Sequence, residues 1–359
     1  MLLNRNNNFD FLRVFAAGMV VFAHSFDLLG LSSHEPLRVL SGHFIDFGAL
    51  AVNMFFVISG FLITASLFSG KGLLAFLIAR VLRIYPALVV AVLFSSLVIG
   101  AWFTQYEWLD YIRHQQLSHY IFSNLFFFDK QYILLDLFSQ NPMTELNGSL
   151  WTIRWECFFY GALLILGLAS IDRPAIAKCL CWLFYILMIA LCWSRADLTG
   201  LKPEPINFTR VAPYFAVGGL LYLHYPLIAR LIKHGIIILL VLSAFVFMAK
   251  GSILFKPMFT LTLALAVLWL AYSARIKLPK SANGNDYSYG VYLFACPIQQ
   301  SLVASFTWDF TYAPLVFFIC SMCCVLPFAL LSWHYIEKPA LNLRKPALAW
   351  LNVKHRVYS

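Results

Sequence analysis

Residues 13–24 read RVFAAGMVVFAH, an apolar run with an arginine at one end and a histidine at the other. A charged side chain in a bilayer costs from about 3 to over 10 kcal/mol, so an ionisable residue there marks a functional site by default. Eleven steps at 3.6 residues per turn make about three turns. Arg13 and His24 therefore return to nearly the same helix face, roughly 16 Å apart along the axis. Asp10, three residues before Arg13, lies on the same stripe and is placed to neutralise it. The pattern predicts a membrane helix with a polar stripe running from one surface well into the bilayer.

Composition extends that reading to the whole chain. Hydrophobic residues make up 61% of the 359 and charged residues 12%, against about 25% charged in a soluble domain. The expected fold is all-α, a polytopic transmembrane bundle of about ten helices, with spans at 11–29, 47–68, 84–103, 150–170, 179–193, 207–223, 236–249, 255–273, 287–305 and 312–334. Two of these, 179–193 and 236–249, fall below the usual 17–25 residues. Residues 117–138 are aromatic but carry Asp129, Lys130 and Asp136, so they read as an interfacial or re-entrant segment. No long linker, low-complexity tract or internal repeat divides the chain, and a single integral-membrane domain over 1–359 is expected.

Basic residues orient the bundle. With the N-terminus cytoplasmic, seventeen lysines and arginines fall on that side and eight on the other, Arg154 lying inside a span. This obeys the positive-inside rule and predicts both termini in the cytoplasm and the 104–149 loop outside. The net charge of +10 therefore reads as topology, and no nucleic-acid partner is expected. The first apolar run is long and carries Arg13 and His24, so it reads as a retained span and not a cleaved signal. Cys320 and Cys323 form a C-x-x-C on an apolar helix without a second pair, and no metal site is expected.

The remaining polar residues define a candidate cavity. His24 and Glu156 lie five and six residues below the outer ends of their spans, roughly 8 Å under the interface. A histidine oriented by a carboxylate is a common general base; the same pair would also serve to hold two helices together. Arg80 and Arg83, in ARVLRIYP, share a face at the inner end of the third span, where they fit either a phosphate clamp or ordinary topology anchors. Tyr289, in YSYGVYL, lies near the inner end of the ninth span. Asn53, Gly60 and Thr64 step along one face of the second, a pattern that also fits helix packing.

Taken together, NFDFLRVFAAGMVVFAHSF, VNMFFVISGFLIT, ARVLRIYP, NGSLWTIRWECFFYG, YSYGVYLFACP and HYIEKPAL, in that order, resemble the membrane-bound acyltransferase-3 family of bacterial inner-membrane enzymes. The resemblance implies transfer of an acyl group, usually acetyl, from cytoplasmic acyl-CoA to a hydroxyl of an extracytoplasmic glycan or lipid-linked saccharide. Acyl-CoA would be a co-substrate, with no permanently bound cofactor, and membrane lipids would surround the chain. The resemblance makes His24 the catalytic residue with Arg13 as its motif partner, and brings Arg80 and Arg83 to the donor. Ser149, Trp151 and Glu156 match an S-x-W-x-x-x-x-E element; Glu156 joins the catalytic set, while Asp10, Asn53, Ser149, Trp151 and Tyr289 line the substrate cavity.

One departure stands out. Many members carry a histidine in the ninth-span element where this chain has Ala295, which weakens any mechanism that uses a second histidine. Two readings from other classes compete: a secondary transporter, which often shows two related halves, and a non-catalytic membrane scaffold, which would not need Arg13, His24 and Glu156 together.

Overall fold

Hydrocarbon offers no partners to backbone N–H and C=O groups, so apolar runs cross it as helices, and the computed structural model of this protein is built of them. The structure describes residues 7–129, 131–170, 173–194, 203–232, 234–248, 252, 254–272 and 285–349. Among these residues there is no strand. Long helices run Phe9–Asp27, Phe47–Leu67, Leu73–Leu93, Trp151–Leu168, Pro174–Ser194, Pro203–Leu223, Gly235–Met248, Phe255–Tyr272, Ser288–Ser305 and Ala313–Ser332. Each expected span is a helix. Of the basic residues used for orientation, Arg5, Lys130, Arg195, Lys202, Lys233, Lys250, Arg275, Lys277, Lys280, Lys354 and Arg356 lie outside the described residues, as do both chain ends.

Length and composition qualify six of the described helices as spans: Phe9–Asp27, Phe47–Leu67, Leu73–Phe103, Pro174–Cys192, Phe255–Tyr272 and Ala313–Ala349. The count of ten is therefore approximate. Trp151–Leu168 and Ser288–Ser305 are long enough, but Arg154 and Glu156 in the first and Gln299 and Gln300 in the second lower their hydropathy. Gly235–Met248 is apolar but only 14 residues long.

The third span differs most from expectation. Its helix begins at Leu73, eleven residues before the expected start, and continues through Pro86 and a π-helical turn at Phe94–Ile99 to Phe103. Its 31 residues reach about 46 Å at 1.5 Å per residue, more than a hydrocarbon core. Arg80 and Arg83 thus sit inside a helix longer than the hydrocarbon core, about two turns or more from its start. Arginine is a good helix former, and nothing in 73–83 stops the helix.

The chain divides into two compact units that interleave in sequence, so no single cut separates them. One comprises 1–13, 52–76 and 155–284. Small residues set its packing: a Cβ on Gly60 would run into the Phe215 carbonyl, and one on Gly218 into that of Val57. Glycine at both positions lets the two backbones meet, the usual device of helix pairs in lipid. Around this contact Phe159 stacks on Phe215 with centroids 4.4 Å apart, and Thr64 bonds Tyr185 at 2.5 Å. Gly60 and Thr64 are therefore packing residues.

The other unit comprises 14–51, 77–154 and 285–359. Its centre is the Ser288–Ser305 helix, buried from Gly290 to Gln300 and packed on Ala313–Ser332, where Gly290 faces the Ala329 backbone. Phe94, at the π turn, lies against Phe294 and Phe328. Residues 104–129 and 131–150 hold short helices at Trp108–Arg113 and Gln115–Phe126 and otherwise mostly irregular chain. Twelve residues span only about 18 Å, so the Gln115–Phe126 helix is not an eleventh span. Phe127, Leu135 and Phe138 hold positive φ of 60°, 51° and 58°, a conformation costly for bulky residues and kept only where tertiary contacts fix it. Burial pushes the Tyr111 hydroxyl above its ordinary value, so it remains a donor and bonds the Ser96 carbonyl at 2.6 Å.

Candidate active site

His24 lies in the last turn of the Phe9–Asp27 helix. The carboxylates whose charge acts on its ring are Asp27, Asp46 and Glu145. Asp27 lies one helical turn beyond it. Asp46 caps the Phe47–Leu67 helix, accepting from Ala49 N at 2.7 Å, and pairs with Arg38 at 2.6 Å. Glu35, 1% exposed, accepts from Arg38 N and Phe47 N and so fixes the loop that carries Asp46. Gly48 leaves room beside Ala23, the residue before His24.

Glu145 is placed from the far side of the sequence. Gln300 Nε2 donates to the Met143 and Glu145 carbonyls, both at 2.9 Å, and Asn141 Nδ2 donates back to Gln300 Oε1 at 2.7 Å. Asn147 Nδ2 donates to the Leu293 carbonyl at 3.0 Å. Segment 141–147 is thereby laid along the Ser288–Ser305 helix.

The neighbouring Gln299 faces the first helix. It is wholly buried, and its Nε2 donates to the Val21 carbonyl at 3.1 Å and to Ser25 Oγ at 3.4 Å. Its side chain also lies beside the His24 ring. Yet Gln299 Oε1 and His24 Nδ1 are both sealed from solvent and complete no hydrogen bond. A buried polar atom left in that state costs about 1–3 kcal/mol, so such atoms in a native fold call for an explanation. Ser149 Oγ and Asn147 Oδ1 are in the same condition.

The N-terminal end of the Ser288–Ser305 helix is different. Arg83 pairs with Asp286 at 2.6 Å through Nη2 and with Glu337 at 3.1 Å through Nη1. Tyr289 and Trp333 flank it, with ring centroids 5.4 and 5.9 Å from the guanidinium carbon. Ser288 holds the other oxygen of Asp286, and Ser332 the other oxygen of Glu337. Glu337 closes a π-helical turn at Trp333–Glu337. Arg83, expected to contact the donor, is engaged by these two carboxylates. Tyr289 was expected in the substrate cavity; its hydroxyl donates to the Ile84 carbonyl at 3.0 Å.

The other expected residues are distributed as follows. Asp10 and Arg13 occupy the first two turns of the Phe9–Asp27 helix, and Asn53 is buried in the Phe47–Leu67 helix. Arg80 lies one turn before Arg83. Trp151 opens the Trp151–Leu168 helix, and Ser149, just before it, receives the Tyr292 hydroxyl on its carbonyl at 2.9 Å. Glu156 was expected beside His24. It belongs to the first-described unit, where Ser59 donates to its Oε1 at 2.9 Å and Tyr160 bonds the same oxygen.

Sequence reasoning missed Asp27, Asp46, Glu145, Gln299 and Gln300 around His24. The adjacent glutamines were the available signal, because side-chain amides inside an apolar span serve as hydrogen-bonding glue between helices.

An acyltransferase domain model matches residues 6–334. An O-acetyl transferase of Shigella phage Sf6 is 28% identical over 97% of this chain and 99% of its own. Nodulation protein 10 of Rhizobium leguminosarum bv. viciae is 28% identical over 96% of this chain and 95% of its own. No solved structure matches. With six described helices long and apolar enough to cross a membrane, a buried polar site and a family match over nearly its whole length, the chain belongs to the acyltransferase-3 family and is a multi-pass membrane O-acyltransferase.

Proposed function

We propose that this enzyme moves an acyl group, acetyl foremost, from cytoplasmic acyl-CoA to a hydroxyl of an extracytoplasmic glycan or lipid-linked saccharide, with His24 as general base. The observation that carries the reading is the pair of unlike polar clusters on one buried helix. Arg83 and Tyr289 lie at one end, and Gln299 with the His24 ring at the other. Tyr289 and Gln299 are ten residues apart, about 15 Å at helical rise. A donor held by Arg80 beyond the inner end would thread its flexible arm along that distance, leaving the charged nucleotide outside. Arg83, fixed by its two acids, would hold the surrounding helices in register. The O-acetyl transferase from phage Sf6 supports acetyl as the transferred group.

Of the two ring nitrogens of His24, Nδ1 is the one sealed away without a hydrogen bond, so Nε2 would meet substrate. It would take the proton of the acceptor hydroxyl as the oxygen bonds the thioester carbonyl carbon. Collapse of the tetrahedral intermediate breaks the carbon–sulfur bond, and the departing thiolate takes the proton from the imidazolium. The products are an ester and free CoA. The negative field of Asp27, Asp46 and Glu145 would stabilise the imidazolium in between.

Two measurements test this. Purified enzyme given acetyl-CoA should release free thiol only when an acceptor is present; release without acceptor, or none with it, overturns the transfer reading. A single cysteine at Ser118 or Ser139, both exposed, should label with an impermeant reagent added outside intact cells. A loop that labels only after the membrane is opened places the acceptor inside.

A further inference from the structure

We infer that Gln299 is a positioning residue for this reaction: its amide oxygen takes the Nδ1–H of His24, fixing the tautomer in which Nε2 carries the lone pair. This rests on the reading of His24 as the base.

The amide orientation follows from its partners. The Val21 carbonyl can only accept. Ser25 Oγ uses its proton on that same carbonyl at 2.8 Å, so towards Gln299 it too can only accept. The end of the amide facing both must be the NH2 group. Oε1 is therefore the atom left over, an acceptor sealed from solvent. The side chain lies beside the His24 ring, whose Nδ1 is also sealed and unengaged.

Two complementary atoms, each lacking one bond, belong to side chains that lie side by side. Only an Nδ1–H can satisfy Oε1, because Oε1 has no proton to offer. Hydrogen bonds of this kind are often long in unliganded enzymes and close when substrate binds. The amide is anchored to the backbone of the histidine's own helix at Val21, one turn before His24. Ring and amide are thus held to one frame.

The arrangement also bears on Ala295, which stands where many relatives have a second histidine. One turn later on the same helix, Gln299 supplies a hydrogen-bonding partner without being a base. Neutral glutamine orients the ring, while Asp27, Asp46 and Glu145 supply the negative charge that a carboxylate partner would otherwise bring.

The test compares Gln299→Glu with Gln299→Met in the full-length enzyme, measuring kcat per correctly inserted molecule and KM for acetyl-CoA. Glutamate keeps the acceptor and lacks the NH2 donor; methionine has the shape and neither group. A positioning role predicts that Gln299→Glu stays within about threefold of wild type. It predicts that Gln299→Met loses about 10–100-fold in kcat, the range for a lost orienting partner, at unchanged donor KM. If Gln299→Glu falls as far as Gln299→Met, the amide NH2 and its helix contact carry the effect, and the inference is overturned. Full activity in Gln299→Met overturns it equally, and each variant decides alone if the other does not fold. His24→Ala is run in parallel. An active His24→Ala refutes the base itself, whereas an inactive one beside unaffected Gln299 variants refutes only the positioning role.

Discussion

The two ends of the Ser288–Ser305 helix handle buried polarity in opposite ways. At the N-terminal end every carboxylate oxygen of the Arg83 cluster has a partner: Arg83 and Ser288 on Asp286, Arg83 and Ser332 on Glu337. At the C-terminal end His24 Nδ1 and Gln299 Oε1 lie buried with no bond completed. A closed set of partners holds helices together and has nothing to offer a substrate. An open set costs stability and leaves groups for chemistry. If His24 is the base, the contrast divides a structural cluster from a catalytic one within one unit of the molecule, and experiment can break it.

The largest effect is expected at the open end. His24→Ala should reduce acyl transfer by about 10²–10⁴-fold, the usual worth of general-base help, with the amount of inserted protein unchanged. Thiol release per inserted molecule measures it, and retention of more than about a tenth of the activity would remove His24 from the chemistry.

Next comes the closed end. Arg83→Met leaves Asp286 and Glu337 buried without their cation, and breaking such a pair costs about 3–5 kcal/mol. The lower figure is expected because Arg83 retains 20% exposure. The purified variant should melt at a lower temperature while its folded fraction turns over normally at saturating donor. A raised donor KM with unchanged melting would make the cluster part of the donor site and erase the contrast.

A smaller change is expected at Arg80, one turn away. Arg80→Lys keeps the charge and loses the planar fork. The KM for acetyl-CoA should rise roughly tenfold, about the worth of one charge-assisted hydrogen bond, without change in topology. Steady-state kinetics at varied donor concentration decides, and an unaltered KM returns Arg80 to the role of an anchor.

Tyr289→Phe sharpens the comparison most finely. It removes the bond to the Ile84 carbonyl and keeps the ring against Arg83. About 1 kcal/mol of stability should be lost, visible as a small drop in melting temperature, with kcat unaffected. Lost turnover would place Tyr289 in the substrate cavity after all.

Much of the fold was legible from 3.6-residue periodicity and span length, because in lipid each helix satisfies its own backbone and announces itself locally. The apolar run from Ala313 and the polar stripe of Arg13 and His24 needed no knowledge of neighbours. The Leu73 start was hidden because hydropathy reports where a helix is apolar and not where it begins. For the site, sequence depth placed His24 and Glu156 at a similar level but did not say which helices adjoin. Asp46 and Glu145 act on the His24 ring by charge from loops 22 and 121 residues away in the chain, held by the Asp46 cap and by Gln300.

The sequence by itself therefore determined the class of this protein, its helices, its family and His24 as the residue to question. Each of these depends on local spacing or on ordered motifs. Only the tertiary structure decided that Arg83 is engaged by Asp286 and Glu337, and that Gln299 lies against His24. Lipid tails are as apolar as leucine, so no simple hydrophobic pattern records which helix face meets which. Those partners are chosen by close packing and by hydrogen bonds between residues far apart in the chain.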